Sequence, residues 1–193
     1  MAKTKLSPEK LKTLKRHKAP INYRSLAVDE YGLLTEVKSD FDKRIIKGYA
    51  VIWGQRNLHG EIFLKGCCAK SLQDHGVDSK SNYKIKFLRQ HNTDQPLSLF
   101  AVLREDDIGL YFETVPLDNV DWADTELEQM RSGTINNFSH GFNFVWDKVE
   151  WDDATDSLVC IEIRLLEIST ATIPSGMGTH VMRSVATEDN IDD

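Results

Sequence analysis

A chain of 193 residues, 40% hydrophobic and 28% charged, can bury one core without staples and has the composition of an ordinary globular protein. No apolar run approaches the roughly 18 residues of a membrane helix, and no apolar stretch follows the basic N-terminus, so neither a membrane span nor a secretory signal is expected. Residues 1–20 carry seven Lys/Arg against Glu9 alone, a charge of +6; with −6 for the whole chain, −12 is left for the remainder. Such an acidic body repels nucleic acid, so any phosphate binding falls to the N-terminal arm.

Residues 1–20 read as this basic arm. Ser7-Pro8-Glu9 starts a helix with a hydroxyl cap, a first-turn proline and an acid, and the helix ends before Pro20. Lys43–Trp53 is rich in β-formers, and turn residues follow around Gly54 to Gly60. Gly66–His75 is predicted as a short helix closed by a left-handed Gly76. Asn82–His91 alternates, placing Ile85, Phe87, Arg89 and His91 on one side of a strand, with a polar loop running to Pro96. Phe100–Arg104 and Ile108–Val115 form a hairpin across the acidic turn Glu105-Asp106-Asp107. Asp121–Ser132 is a helix with Trp122, Leu127 and Met130 inward and Gly133 at its end. Asn143–Val149 is predicted as a strand, with Phe142, Phe144 and Trp146 on one face. Ser157–Ile168 is another, with Val159, Ile161, Ile163 and Leu165 facing one way. A further helix is expected near Gly178–Ser184, before an acidic, frayed tail over 186–193. Many short strands with few helices predict one mainly β domain over 21–185, a barrel or sandwich with helices outside.

Three segments can carry chemistry. His91 ends a strand where a polar loop begins. Ser139 is read in a tight turn between Phe138 and Phe142, beside a Gly141 small enough to admit a substrate. Glu167 continues the apolar row of the last strand, where a carboxylate needs a partner: a histidine N–H, or an arginine such as Arg89 or Arg164. Together they supply general base, nucleophile and acid in the chain order His91, Ser139, Glu167. His140 lies next to the serine, and because neighbours on a strand face opposite ways, His91 is favoured as the base. The six histidines are scattered and no His-Glu-x-x-His is present, so no metal is expected. Cys67, Cys68 and Cys160 are read as buried thiols rather than a disulfide framework.

Four blocks then resemble one family in its own order: Gly48-Tyr49-Ala50-Val51-Ile52-Trp53-Gly54 with His59–Leu72; Gln90-His91-Asn92 with Gln95-Pro96 and Gly109-Leu110; Arg131–Phe142; and Leu166-Glu167-Ile168-Ser169 with Ile173-Pro174. Over about residues 45–175 the chain resembles the prohead (capsid-maturation) serine proteases of tailed bacteriophages, relatives of herpesvirus assemblin. His140, Asn92 and Leu97-Ser98 depart from the family's usual residues, and the resemblance makes His140 a competing base or, as with the second histidine of the herpesvirus enzymes, an alternative third member. The resemblance implies a barrel like that of the herpesvirus protease, surrounded by a few helices. It implies a serine endopeptidase without cofactor, with His91 as base, Ser139 as nucleophile and Glu167 orienting the imidazole. It would cut scaffold and major capsid protein, and itself, inside the assembling prohead in the host cytoplasm, with self-association. The competing reading is a non-catalytic, protease-derived internal scaffold or assembly protein.

Overall fold

The computed structural model describes residues 4–9, 12, 22–26 and 39–173. The helix expected near 178–184 and the acidic tail lie outside them. Among the described residues no helix is long and apolar enough to cross a membrane.

The described strands form three sheets. β1 (Thr4–Lys5), β10 (Val149–Asp152), β11 (Ser157–Cys160) and β4 (Glu61–Phe63) make the first, in that spatial order. β2 (Asn22–Leu26), β9 (Asn137–Phe144), β12 (Ile163–Ala171), β5 (Lys86–Arg89) and β6 (Asn92–Ser98) make the second. β3 (Lys47–Ile52), β8 (Gly109–Thr114) and β7 (Phe100–Glu105) make the third. The chain is thus mainly β, as expected, but none of these sheets closes on itself into the expected barrel.

Two helices, α1 (Ala69–His75) and α2 (Asp121–Ser132), pack against this β body. α2 ends as the sequence predicts, at a left-handed Gly133 with φ of 85°. α1 does not: Gly76 is extended at φ −72°, and the left-handed glycine lies upstream, at Gly66. The β7–β8 hairpin also forms as read, because Asp106 Oδ1 accepts the amides of Ile108 and Gly109 and closes the turn. Two predicted strands are broken. Val145 leads into a 3-10 turn at Trp146–Lys148, which separates β9 from β10. Ile161 and Glu162 interrupt Ser157–Ile168, leaving Ile161 37% exposed instead of on an inward row.

The inward face of β9 binds the three sheets together. Phe138 meets Phe112 of β8 edge-on at 4.8 Å and Phe87 of β5 at 6.0 Å. Phe142 meets Phe63 of β4 at 5.3 Å, and the His140 ring packs against both. Phe100 completes the cluster against Phe87 and Phe112. Edge-to-face pairs of this kind add to the area they bury. All three cysteines are buried thiols; the neighbouring Cys68 thiol and burial push the Cys67 thiol well above its usual range. Phe112 is 0% exposed and touches three rings, so Phe112→Ala should cost about 3–5 kcal/mol of stability. Urea denaturation measures this, and a loss below about 1 kcal/mol would mean that the cluster does not hold the sheets together.

Candidate active site

The site is built on the face of the second sheet opposite that aromatic row. Along β9, Phe138, His140, Phe142 and Phe144 turn to the core, so Ser139 and Gly141 turn the other way. Ser139 therefore sits within a strand rather than in the turn its neighbours suggested, and it is 0% exposed. The same alternation stacks His140 on Phe142, with centroids 5.2 Å apart, and presents its ring edge-on to Phe63. His140 lies in the core, on the opposite face of the sheet from Ser139.

Glu167 arrives on the Ser139 face through an irregularity. Leu165 stands opposite Phe142 in the ladder, but Glu167 stands opposite Gly141, one residue further along β12 than regular pairing allows. This bulge switches the parity of the strand. Glu167 does not continue the apolar row of Ile163 and Leu165 as the sequence reading had it; Ile168 resumes that row. Gly141 provides the necessary space. A Cβ there would lie 2.3 Å from Glu167 Oε1, so the room read as substrate access is taken by the carboxylate.

His91 reaches Glu167 from a tight turn. β5 stops at Arg89, and Arg89 pairs with Asn92 across a two-residue loop in which Gln90 and His91 have φ of +48° and +60°. That is the signature of a hairpin turn normally served by Asn-Gly. A non-glycine residue in this region costs about 1–2 kcal/mol. Side-chain hydroxyls of β12 brace the loop: the Gln90 amide donates to Thr170 Oγ1 at 3.2 Å, and the His91 amide to Ser169 Oγ at 3.1 Å. Strain held in place by such supports is typical of functional sites. The expected polar loop after His91 is instead strand β6, which tolerates Pro96 because it is the sheet's edge.

The imidazole Nδ1 lies 2.8 Å from Glu167 Oε1. Ser169 Oγ donates to the other oxygen of that carboxylate, so Glu167 is engaged at both oxygens while only 6% exposed. Of the partners proposed for Glu167, the histidine takes the place; Arg89 pairs instead with Glu126, at 2.8 Å. Ser139 stands directly across the ladder from Ser169. One sheet face thus gathers Ser139, Gly141, Glu167 and Ser169, with His91 hydrogen-bonded to the last two. Sequence reading missed Ser169 and Glu126. The available signals were a serine two residues beyond the acid, hence on its face, and a carboxylate among Ala123, Leu127 and Met130 on the buried side of α2.

The family model for caudovirus prohead serine proteases matches residues 25–192. The fold is similar to that of the capsid assembly protease gp21 of bacteriophage T4, with a TM-score of 0.53 at 10% identity, covering 86% of this chain and 98% of that one. At that identity the likeness speaks for the fold. A search of curated protein sequences gives no significant match.

Gly141→Ala should fold with a loss of about 1–3 kcal/mol and push the Glu167 carboxylate off the imidazole. A crystal structure of the variant checks this; a retained Nδ1–Oε1 contact would show that Gly141 is not what makes room for it.

Proposed function

Because the chain belongs to the caudovirus prohead serine protease family, we propose that Ser139 is its nucleophile, His91 its general base and Glu167 the acid that orients the imidazole. The observation that carries this reading is the His91 Nδ1–Glu167 Oε1 hydrogen bond on the sheet face that Ser139 shares. With Nδ1 engaged by a carboxylate, proton transfer to and from the serine falls to Nε2.

The chemistry then follows from the residues. Ser139 Oγ attacks a peptide carbonyl as its proton passes to His91 Nε2. Glu167 stabilises the imidazolium and keeps the ring in the productive tautomer. The tetrahedral intermediate collapses by expelling the amine, which takes the proton from Nε2. Water, deprotonated by the same nitrogen, then releases the acyl group and regenerates the serine. Ser169 supports the set by binding Glu167 and the His91 backbone at once. His140 has no part in this cycle; its ring packs the core beneath the serine.

Ser139 is 0% exposed in this form, so the site must open before a peptide can reach it. A closed resting state suits a protease assembled together with its own substrates. We take those substrates to be the scaffold and major capsid proteins inside the assembling prohead, and the protease chain itself. Self-association and any contact between the basic arm (1–20) and nucleic acid belong to the same proposal; no cofactor is required.

Co-expression with the cognate capsid and scaffold proteins, read by mass spectrometry, tests the assignment. Ser139→Ala and His91→Ala should each lower processing by on the order of 10⁴-fold or more, because the two groups act as a unit. Ser139→Ala should melt close to the unaltered protein, and His91→Ala somewhat lower, because it strips the buried Glu167 of one partner. Unchanged cleavage by either folded variant removes that residue from the mechanism. No cleavage by the unaltered protein would favour the non-catalytic scaffold.

A further inference from the structure

Glu126 is the most buried charge near the site that the catalytic reading does not use. It projects from the inward face of α2 beside Ala123, Leu127 and Met130, and its side chain is 0% exposed. Burying a carboxylate is costly, and well-packed apolar residues in place of a buried ion pair often serve stability as well or better. Core packing therefore gives no reason for an acid here. Its hydrogen-bond partners do. Oε2 accepts from Arg89 Nε at 2.8 Å, and Oε1 accepts from Gln90 Nε2 at 3.4 Å. These are the two residues immediately before His91.

The rest of the network converges on the same turn. Arg89 Nη1 donates to Gln95 Oε1 at 3.1 Å, tying the strand that enters the turn to the strand that leaves it. Gln90 Oε1 accepts from the amide and hydroxyl of Thr172, both at 3.1 Å, just past β12. The left-handed pair Gln90-His91 is thus gripped from the helix side by Glu126 and from the β12 side by Ser169, Thr170 and Thr172. A turn whose sequence lacks Asn-Gly needs such external contacts to persist.

Building on the proposed role of His91, we infer that Glu126 is a positioning residue: through Arg89 and Gln90 it fixes the turn that aims the imidazole at Glu167. It touches no reacting atom. Helix α2, which lies outside the catalytic residues, thereby holds the general base through the turn that carries it, and a displacement of α2 would loosen that turn.

Two variants test this. Glu126→Gln removes the charge, and the double variant Arg89→Met with Glu126→Met replaces the pair by apolar side chains, which keeps the fold testable if the single change does not fold. The first readout is the pair of ring-nitrogen chemical shifts of His91 by NMR, which report the tautomer that Glu167 imposes. The second is the rate at which a fluorophosphonate probe labels Ser139, followed against pH. In a variant that melts cooperatively, the His91 shifts should move toward those of a solvent-averaged imidazole. Labelling should slow by about tenfold to a hundredfold, as expected for a misplaced group, with an altered pH profile. Unchanged shifts and labelling in the folded double variant would overturn the inference. If the unaltered protein does not label at all, the closed site keeps the probe from Ser139, and the NMR shifts alone decide the role of Glu126.

Discussion

Strand β9 must satisfy two incompatible environments at once, and strict alternation lets it do so. One face supplies Phe138, His140, Phe142 and Phe144 to the aromatic packing that joins the sheets. The other supplies Ser139 and Gly141 to the candidate site. A slip of one residue in its pairing with β12 would bury the serine among phenyl rings and turn those rings toward the site. The hydrophobic row therefore does more than stabilise the core: it fixes the direction in which the serine faces.

The partner strand meets the same demand by breaking alternation. The bulge between Leu165 and Glu167 lets β12 keep Leu165 and Ile168 inward while delivering the carboxylate to the face of Ser139. A buried carboxylate is tolerable there because His91 and Ser169 occupy its two oxygens. The left-handed turn at Gln90-His91 is the third irregularity, braced by β12 hydroxyls and by Glu126. The bulge, the left-handed turn and the buried Glu167 thus meet where chemistry is proposed.

This division explains what could be read from the sequence. The β7–β8 hairpin and α2 were legible because alternation, an Asp-capped turn and a terminal glycine are local signals. His91 and Glu167 were identified by residue type and context, and the structure joins them. Their local geometry was not legible. Gln-His does not announce a left-handed turn, and no residue at 166 signals a bulge. Ser139 reads from its sequence as lying in a turn beside Gly141, yet that glycine serves the close approach of a side chain from another strand. The break at Ile161-Glu162 was hidden because the apolar parity continues through it. In each case the deciding contact is distant in sequence.

The central claim, that Ser139 and the His91–Glu167 pair form one catalytic unit, is tested most directly by a crystal structure of the protein after reaction with a peptidyl fluorophosphonate. The account predicts phosphorus bonded to Ser139 Oγ, His91 Nε2 within hydrogen-bonding distance of the adduct, and Nδ1 still on Glu167. An adduct on another residue, or one on Ser139 with the imidazole out of reach, would contradict it.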